Sequence, residues 1–292
     1  MTEPRLLDAT LLRDFPLPRH NEDGDKEGRG RLLLVGGSAQ LPGAAVLAGV
    51  AALRAGAGKL QIVTARSIAA QLGVAVPEAR VIGVDESEEG CLAESAIDTI
   101  LRWAREARAM TLGCGLQHGP PLDALLDSLL ASEIEIPLVL DATALGSLAE
   151  RAAPLREWRG GAILLPHARE MARLLRRAPD DVAADPLASA RTASERFGCV
   201  AVIKGARSFI VAPDGRSFRF EGGGVGLATS GSGDVLAGIV GGLAARGADP
   251  LTAVLWGVWL HGEAGRTLSR AVGRIGFLAR EIAPLVPSLL PG

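Results

Sequence analysis

The sequence predicts one α/β domain: a mainly parallel central sheet, helices on both faces, and a β-hairpin with further helices at the C-terminal end. Three observations predict it. From Arg31 onward, short apolar runs of strand length alternate with longer stretches whose apolar positions recur at helical spacing. After Lys204 that rhythm gives way to two extended runs around Asp214-Gly215, a hairpin signal. No polar or proline-rich linker and no internal repeat divides the 292 residues, so a length that would also suit two small domains is read as one.

The elements follow in order. Residues 1–30 are polar and mixed and end in the charged, glycine-rich run Asn21 to Gly30, which reads as an N-terminal arm and surface loop, with the ordered domain spanning 31–290. The expected parallel strands are Leu32 to Val35, Leu60 to Val63, Val81 to Val84, Met110 to Leu112, Leu138 to Leu140, Ala162 to Leu165 and Val200 to Ile203, apolar throughout as strands buried on both faces are. Helices are expected over Gly43 to Gly56, Ala93 to Ala107, Pro121 to Ala131, Glu170 to Arg177 and Pro186 to Phe197. Ser208 to Ala212 and Ser217 to Phe220 form the hairpin. Two helices, Ser232 to Arg246 and Asp249 to Leu268, precede a helical segment from Phe277.

Charge and cysteine usage narrow the function. Lys plus Arg is 31 against 33 for Asp plus Glu, so a net charge of −2 gives no general attraction to nucleic acid or anionic membranes, and a small molecule becomes the expected partner. Cys91, Cys114 and Cys199 are odd in number and far apart, which fits neither a disulfide framework nor a zinc site; they read as reduced, buried thiols of a cytoplasmic protein. Acidic residues stand where a secretory signal would be basic, so no export is expected. The uncharged stretch Leu32 to Leu53 is cut by Gly36-Gly37-Ser38 and Pro42 into strand, loop and helix, so no membrane span is expected either.

In open parallel sheets ligands bind beyond the carboxyl ends of the strands. The strongest feature there is Thr229-Ser230-Gly231-Ser232-Gly233-Asp234, which opens an apolar helix. Glycines let the backbone approach an anion, the first-turn amides are free, and the helix dipole favours negative charge, together a phosphate cradle. Asp234 adds a carboxylate that the dipole would hold ionised, able to take a proton from a hydroxyl attacking phosphorus. The plainer alternative is that Ser232 or Asp234 caps the helix. Neither a Walker loop nor a complete dinucleotide fingerprint is present.

Further candidates lie on neighbouring strand ends. Lys204 and Arg207, with Ser208 adding a hydroxyl, could contact nucleotide phosphates; alternatively Lys204 only snorkels from its strand. His167 could orient a substrate and Glu170 act through Mg²⁺ or water, or His167 could be satisfied by backbone with Glu170 in a helix's first turn. Asp141 ends an apolar strand, where an unpaired carboxylate would be costly. His261 reads as core packing.

Together the segments Leu227 to Gly238, Val35-Gly36-Gly37-Ser38, Pro42-Gly43-Ala44-Ala45, Gly56-Ala57-Gly58, Pro77-Glu78, Gly113-Cys114-Gly115, Asp141 to Leu145, Pro166-His167 and Lys204-Gly205 resemble the ADP- or ATP-dependent NAD(P)H-hydrate dehydratases of the ribokinase-like superfamily. The likeness runs in order from about Gly30 to Ala264. It implies a ribokinase-like three-layer α/β/α sandwich and a repair reaction in which NADH or NADPH hydrated at C6 of the nicotinamide ring is phosphorylated on the hydroxyl by ADP or ATP and then loses phosphate. Carried over by motif, Asp234 would be the base, with the amides of Gly231, Ser232, Gly233 and Asp234 stabilising the transferred phosphoryl group. Lys204, Gly205, Ala206, Arg207, Ser208 and Gly233 would bind the nucleotide. Ala44 or Ala45, Gly115, Asp141, His167 and Asp234 would contact the hydrated dinucleotide. Mg²⁺ is implied, through Glu170, as is a homo-oligomer, such as a tetramer.

Three departures accompany the likeness. Pro166-His167-Ala168-Arg169-Glu170 stands where the family has Pro-His-Pro-Gly-Glu, Thr143 follows Asp141-Ala142 where Asn or Asp is usual, and Ser230 replaces a glycine. Many relatives carry an N-terminal epimerase domain, whereas thirty residues are too few for one, so a stand-alone dehydratase with a separate epimerase is expected. The rival readings are a small-molecule kinase of the same superfamily, for hydroxyethylthiazole or a sugar, and a nucleotide-binding regulator without turnover.

Overall fold

A computed structural model describes residues 3–19, 26–88 and 90–291. Among the described residues ten strands form one sheet: β1 (Arg5–Leu6), β2 (Arg31–Val35), β3 (Lys59–Ala65), β4 (Ala79–Val84), β5 (Ala109–Leu112), β6 (Leu138–Leu140), β7 (Ala162–Leu164), β8 (Val200–Ile203), β9 (Arg207–Val211) and β10 (Ser217–Glu221). Their spatial order is β1-β10-β9-β8-β7-β6-β5-β2-β3-β4. From β4 to β8 every pairing is parallel, and β9 and β10 return antiparallel as the expected hairpin. The chain runs from β2 outward to β4, then jumps back to β5 and proceeds the other way, which puts the topological switch point between β2 and β5.

Alternation along the strands builds two cores. Leu32, Leu34 and Ile62 point into one layer with the helices Pro42–Arg54, Ser232–Ala245 and Pro250–Ala271. Leu33, Val35 and Val63 point into the other, covered by the helices Ile97–Arg105, Pro120–Leu130, Ala168–Leu175 and Pro186–Phe197. The result is the expected three-layer arrangement. Glycines set its tightest seam: a Cβ on Gly238 would stand 2.1 Å from the Ala48 carbonyl oxygen, and one on Gly242 2.5 Å from that of Ala52. The helix carrying Asp234 therefore lies backbone against backbone on Pro42–Arg54.

Several expectations need correction. The N-terminal residues are not a surface arm with order beginning at Arg31. β1 pairs in parallel with β10, Leu7, Leu11, Leu12 and Leu17 are buried, and the Trp256 indole N–H donates to the Phe15 carbonyl at 2.7 Å. Within the glycine-rich run, residues 21–25 lie outside the described residues. A helix at Arg66–Ala75 links β3 to β4, a crossover that parallel pairing demands although only Ile68 and Leu72 mark its buried face. The expected helix from Ala93 starts as a 3₁₀ turn at Glu94–Ala96, and the segment after Phe277 is broken into short turns, with Pro284 and Pro287 interrupting it.

Candidate active site

The glycine loop meets its helix at Gly231, whose φ of +85° places it in the left-handed region and whose missing Cβ leaves room for Leu47. No side chain caps this helix. The capping alternative for Ser232 and Asp234 is thereby overturned. The Ser232 amide donates to the Thr229 carbonyl at 3.2 Å and that of Val235 to the Gly231 carbonyl at 3.1 Å, while among the described residues no backbone carbonyl accepts from Gly233 or Asp234. Two first-turn amides and the positive end of the helix dipole are left for an anion.

Facing that turn is an ion pair assembled from two strand ends. Asp141, buried at the end of β6, accepts from Lys204 Nζ, one residue past β8, at 2.7 Å. A Cβ on Gly233 would stand 3.4 Å from Lys204 Nζ and 3.6 Å from Asp141 Oδ2, so the glycine loop closes directly over the pair. Lys204 is therefore more than a snorkelling strand-end residue. Burial opposes its charge, yet the Asp141 and Glu170 carboxylates hold its pKa above the ordinary lysine value.

Asp234, in the first turn of its helix, sees this pair. Its pKa is pushed up to about 6, first by burial and then by the Asp141 charge, while a hydrogen bond from the Cys114 thiol and the Lys204 charge work the other way. The helix dipole expected to hold Asp234 ionised is opposed by burial, the largest influence on its pKa. A carboxylate titrating near 6 is better matched to proton abstraction at neutral pH than one near 4.

Two supporting residues were not foreseen. Cys114 lies beneath Asp234, fully buried, and burial together with the Asp234 and Asp141 charges raises its pKa so that it stays a thiol. Its place between two glycines at a strand end was the available signal. His261, read as core packing, bonds through Nε2 to Ser232 Oγ at 2.9 Å and to the Ser232 carbonyl at 3.1 Å, and burial lowers its pKa to about 4. A neutral imidazole thus pins the first residue of the anion-binding turn.

The remaining candidates divide. His167 takes the backbone-satisfied alternative: its Nδ1 accepts from the Arg169 and Glu170 amides at 3.1 and 3.3 Å, and Glu170 Oε2 accepts from the His167 amide at 2.8 Å. This capping box shapes the loop without the missing proline and glycine. With Nδ1 an acceptor, the proton of the neutral ring sits on Nε2, on a half-exposed side chain still able to reach a ligand. Lys204 joins the same loop through its amide, which donates to the Pro166 carbonyl at 2.9 Å. Gly205, Ala206 and Arg207 are exposed beside it, with Ser208 Oγ 3.4 Å from the Gly205 amide. Thr143 Oγ1 donates to the Leu116 carbonyl at 2.7 Å, and Ala142 before it adopts φ 50°. Ala45 is fully buried, its Cβ under Gly37, so of the two alanines only Ala44 is open to a ligand. Gly115, with φ +69°, packs against Ala44 at the switch point.

A cradle of amides over a partly buried, ion-paired lysine, with a carboxylate tuned to about 6, suits phosphoryl transfer to a hydroxyl. Residues 32–288 match the family model described as NAD(P)H-hydrate dehydratase. This chain belongs to that family. It is 46% identical over 99% of its length to a protein of Xanthomonas campestris pv. campestris named ADP-dependent (S)-NAD(P)H-hydrate dehydratase, 98% of which it covers. It is 37% identical over 98% of its length to a bifunctional NAD(P)H-hydrate repair enzyme of Moorella thermoacetica, of which it spans 54%. Family membership extends to the fold: the chain superposes with a TM-score of 0.84 and 28% identity on the ADP/ATP-dependent NAD(P)H-hydrate dehydratase of Bacillus subtilis co-crystallized with ATP/Mg²⁺, covering 99% of this chain and 98% of that one. The expected ribokinase-like architecture is what this chain adopts.

Proposed function

We propose that the protein restores NADH and NADPH from their C6-hydrated forms, in the (S) configuration that its relatives' names specify, with ADP or ATP as phosphoryl donor. The observation that carries the reading is Asp234, raised to about 6, beside the Gly233 amide and over the Lys204–Asp141 pair. In the first step Asp234 takes the proton of the ring hydroxyl while its oxygen bonds to the terminal phosphorus and the bond to the nucleotide's bridging oxygen breaks. The Gly233 and Asp234 amides and Lys204 meet the charge on the phosphoryl oxygens. In the second step the ring C–O bond breaks with phosphate as leaving group, a proton departs from the neighbouring carbon, and the ring double bond forms. Hydroxide would leave far less readily.

Lys204, Gly205, Ala206, Arg207, Ser208 and Gly233 hold the nucleotide in this scheme, and Ala44, Gly115, Asp141 and His167 the hydrated dinucleotide. Mg²⁺, when bound, would offset the charge on the phosphates. Among the described residues no three acidic, imidazole or thiol groups converge, so the chain fits an ion that arrives on the phosphates, with Glu170 Oε1 as the carboxylate toward it. A homo-oligomer, a tetramer in the simplest case, is supported by the exposed Val225, Val272, Ile275 and Leu278. A cytoplasmic location is supported by three free cysteines. A separate epimerase would complement the reaction, as the double length of the bifunctional relative suggests.

The test supplies hydrated NADH, Mg²⁺ and either ADP or ATP and follows the near-ultraviolet absorbance of NADH. Recovery with one of the nucleotides is expected. No recovery sinks the reading; phosphorylation of a thiazole alcohol or a sugar would instead make the protein a kinase, and nucleotide binding without any turnover a regulator.

A further inference from the structure

His261 stands on the helix Pro250–Ala271, one turn beyond Gly257 on the same face. A Cβ on Gly257 would lie 2.5 Å from Val240 Cγ2, so this helix is packed directly on Ser232–Ala245 and carries the imidazole to the start of the anion-binding turn. There Nε2 lies 2.9 Å from Ser232 Oγ and 3.1 Å from the Ser232 carbonyl oxygen. A carbonyl oxygen can only accept, so Nε2 carries a proton and donates it. Burial keeps the ring neutral by lowering its pKa to about 4, and a neutral ring has a single N–H, which leaves Nδ1 bare. The Ser232 hydroxyl sits beside that N–H as a second acceptor.

The Ser232 carbonyl belongs to the peptide whose other end is the Gly233 amide. That unit is planar and trans, so its C=O and N–H point in opposite directions and neither turns without the other. The Gly233 N–H is one of the two first-turn amides that no backbone carbonyl claims among the described residues. Its residue lies over the Lys204–Asp141 pair, where a Cβ would be 3.4 Å from Lys204 Nζ. We propose that His261 is a positioning residue for phosphoryl transfer: through the Ser232 carbonyl it aims and polarises the Gly233 N–H that meets the transferred phosphoryl group. The inference rests on the function proposed above, in which the nucleotide's terminal phosphate occupies this turn. A hydrogen bond received at a carbonyl strengthens the donor at the other end of the same peptide, by roughly 10–30%. The carbonyl's second lone pair is left for the helix, so the imidazole adds a fixed point at a helix end, where backbone otherwise frays.

Glutamine places its amide nitrogen where histidine has Nε2, asparagine stops one methylene short, and leucine fills the space without a donor. AMP lacks the terminal phosphate that ADP and ATP would carry to the turn. Calorimetric affinities for all three nucleotides and for NADH would be compared in the wild type and in His261→Gln, His261→Asn and His261→Leu. The wild type is expected to prefer ADP or ATP to AMP. His261→Asn and His261→Leu are expected to bind the preferred nucleotide about tenfold more weakly, with AMP and NADH within about twofold and His261→Gln within about threefold of wild type. At saturating nucleotide, kcat is expected to fall about 10²-fold in His261→Asn and to recover most of that in His261→Gln, with KM for hydrated NADH changing less than about threefold. The nitrogen-15 ring signal that His261→Gln removes is expected to be that of a neutral imidazole protonated at Nε2. A purely structural histidine would lower Tm and weaken every ligand alike. The assignment is overturned by an equal loss for AMP, by unchanged ADP and ATP affinity in His261→Asn, or by a His261→Gln no better than His261→Asn. Protonation at Nδ1, or wild-type protein that binds AMP as tightly as ADP and ATP, would overturn it too. The comparison of glutamine with asparagine decides even where His261→Leu does not fold. Failure of the dehydration assay with this affinity pattern intact would remove the function and leave His261 as the residue that orients a phosphate-binding amide.

Discussion

A carboxylate must be ionised to accept a proton, so Asp234 turns its surroundings into a pH dependence. With its pKa near 6, kcat/KM is expected to be flat at neutral pH and to fall about tenfold per unit below about pH 6. The Asp141 charge helps hold that value up, so Asp141→Asn is expected to move the acid limb to lower pH even as it lowers overall activity; an unmoved limb would detach Asp234 from the profile. Asp234→Asn removes the base while keeping the helix start, and turnover is expected to drop by about 10³-fold with nucleotide affinity within a few-fold of wild type. Full activity in that variant would reduce the carboxylate to a bystander. The sign for stability runs opposite to activity: a carboxylate whose folded pKa exceeds its unfolded value of 3.8 favours the folded state progressively as pH falls from about 6 toward 4. His261, lowered to about 4 from 6.5, opposes it in much of the same window, since the unfolded chain takes up that proton first.

At the level of elements, the seam between Ser232–Ala245 and Pro42–Arg54 positions the catalytic turn. Gly238→Ala would force a methyl to 2.1 Å from a backbone oxygen, which one helix can relieve only by moving away. A loss of about 1–3 kcal/mol is expected, read as a lower Tm, whereas Gly43→Ala, at a position with open space, should leave Tm nearly unchanged. The same elements show what was legible beforehand. Seven parallel strands and the hairpin could be read because runs such as Leu32 to Val35 are buried on both faces and so stay apolar throughout. The helix start at the glycine loop could be read because apolar residues at helical spacing follow Gly231-Ser232-Gly233 directly. Arg66–Ala75 could not, because a helix contributing two side chains to the core leaves too little periodicity. Asp141 and Lys204 were each recognised as candidates, but their pairing spans 63 residues and depends on strand order that local spacing does not encode.

For the molecule as a whole, the N-terminal residues are structural. Removing residues 1–19 would uncover Phe218, which packs edge-on against Phe15 at 5.7 Å, and leave the Trp256 indole N–H without its carbonyl partner. A lower Tm and a red shift of tryptophan emission are expected; unchanged values would make the segment dispensable. Light scattering is expected to report a homo-oligomer, and charged residues introduced at Val272 and Ile275 should shift it toward monomer if these exposed apolar side chains lie at the contact.

The pairing of β1 with β10 also carries a consequence for synthesis. Arg5 waits for Phe218, more than two hundred residues downstream. At roughly 5–20 residues per second that interval is on the order of 10 s or more, and Leu7, Leu11 and Leu12 spend it without the sheet edge they will finally cover. Closure of that edge is therefore among the last events in folding, a slow non-local step. In that interval the nascent chain offers a short leucine-rich segment to whatever chaperone attends the ribosome.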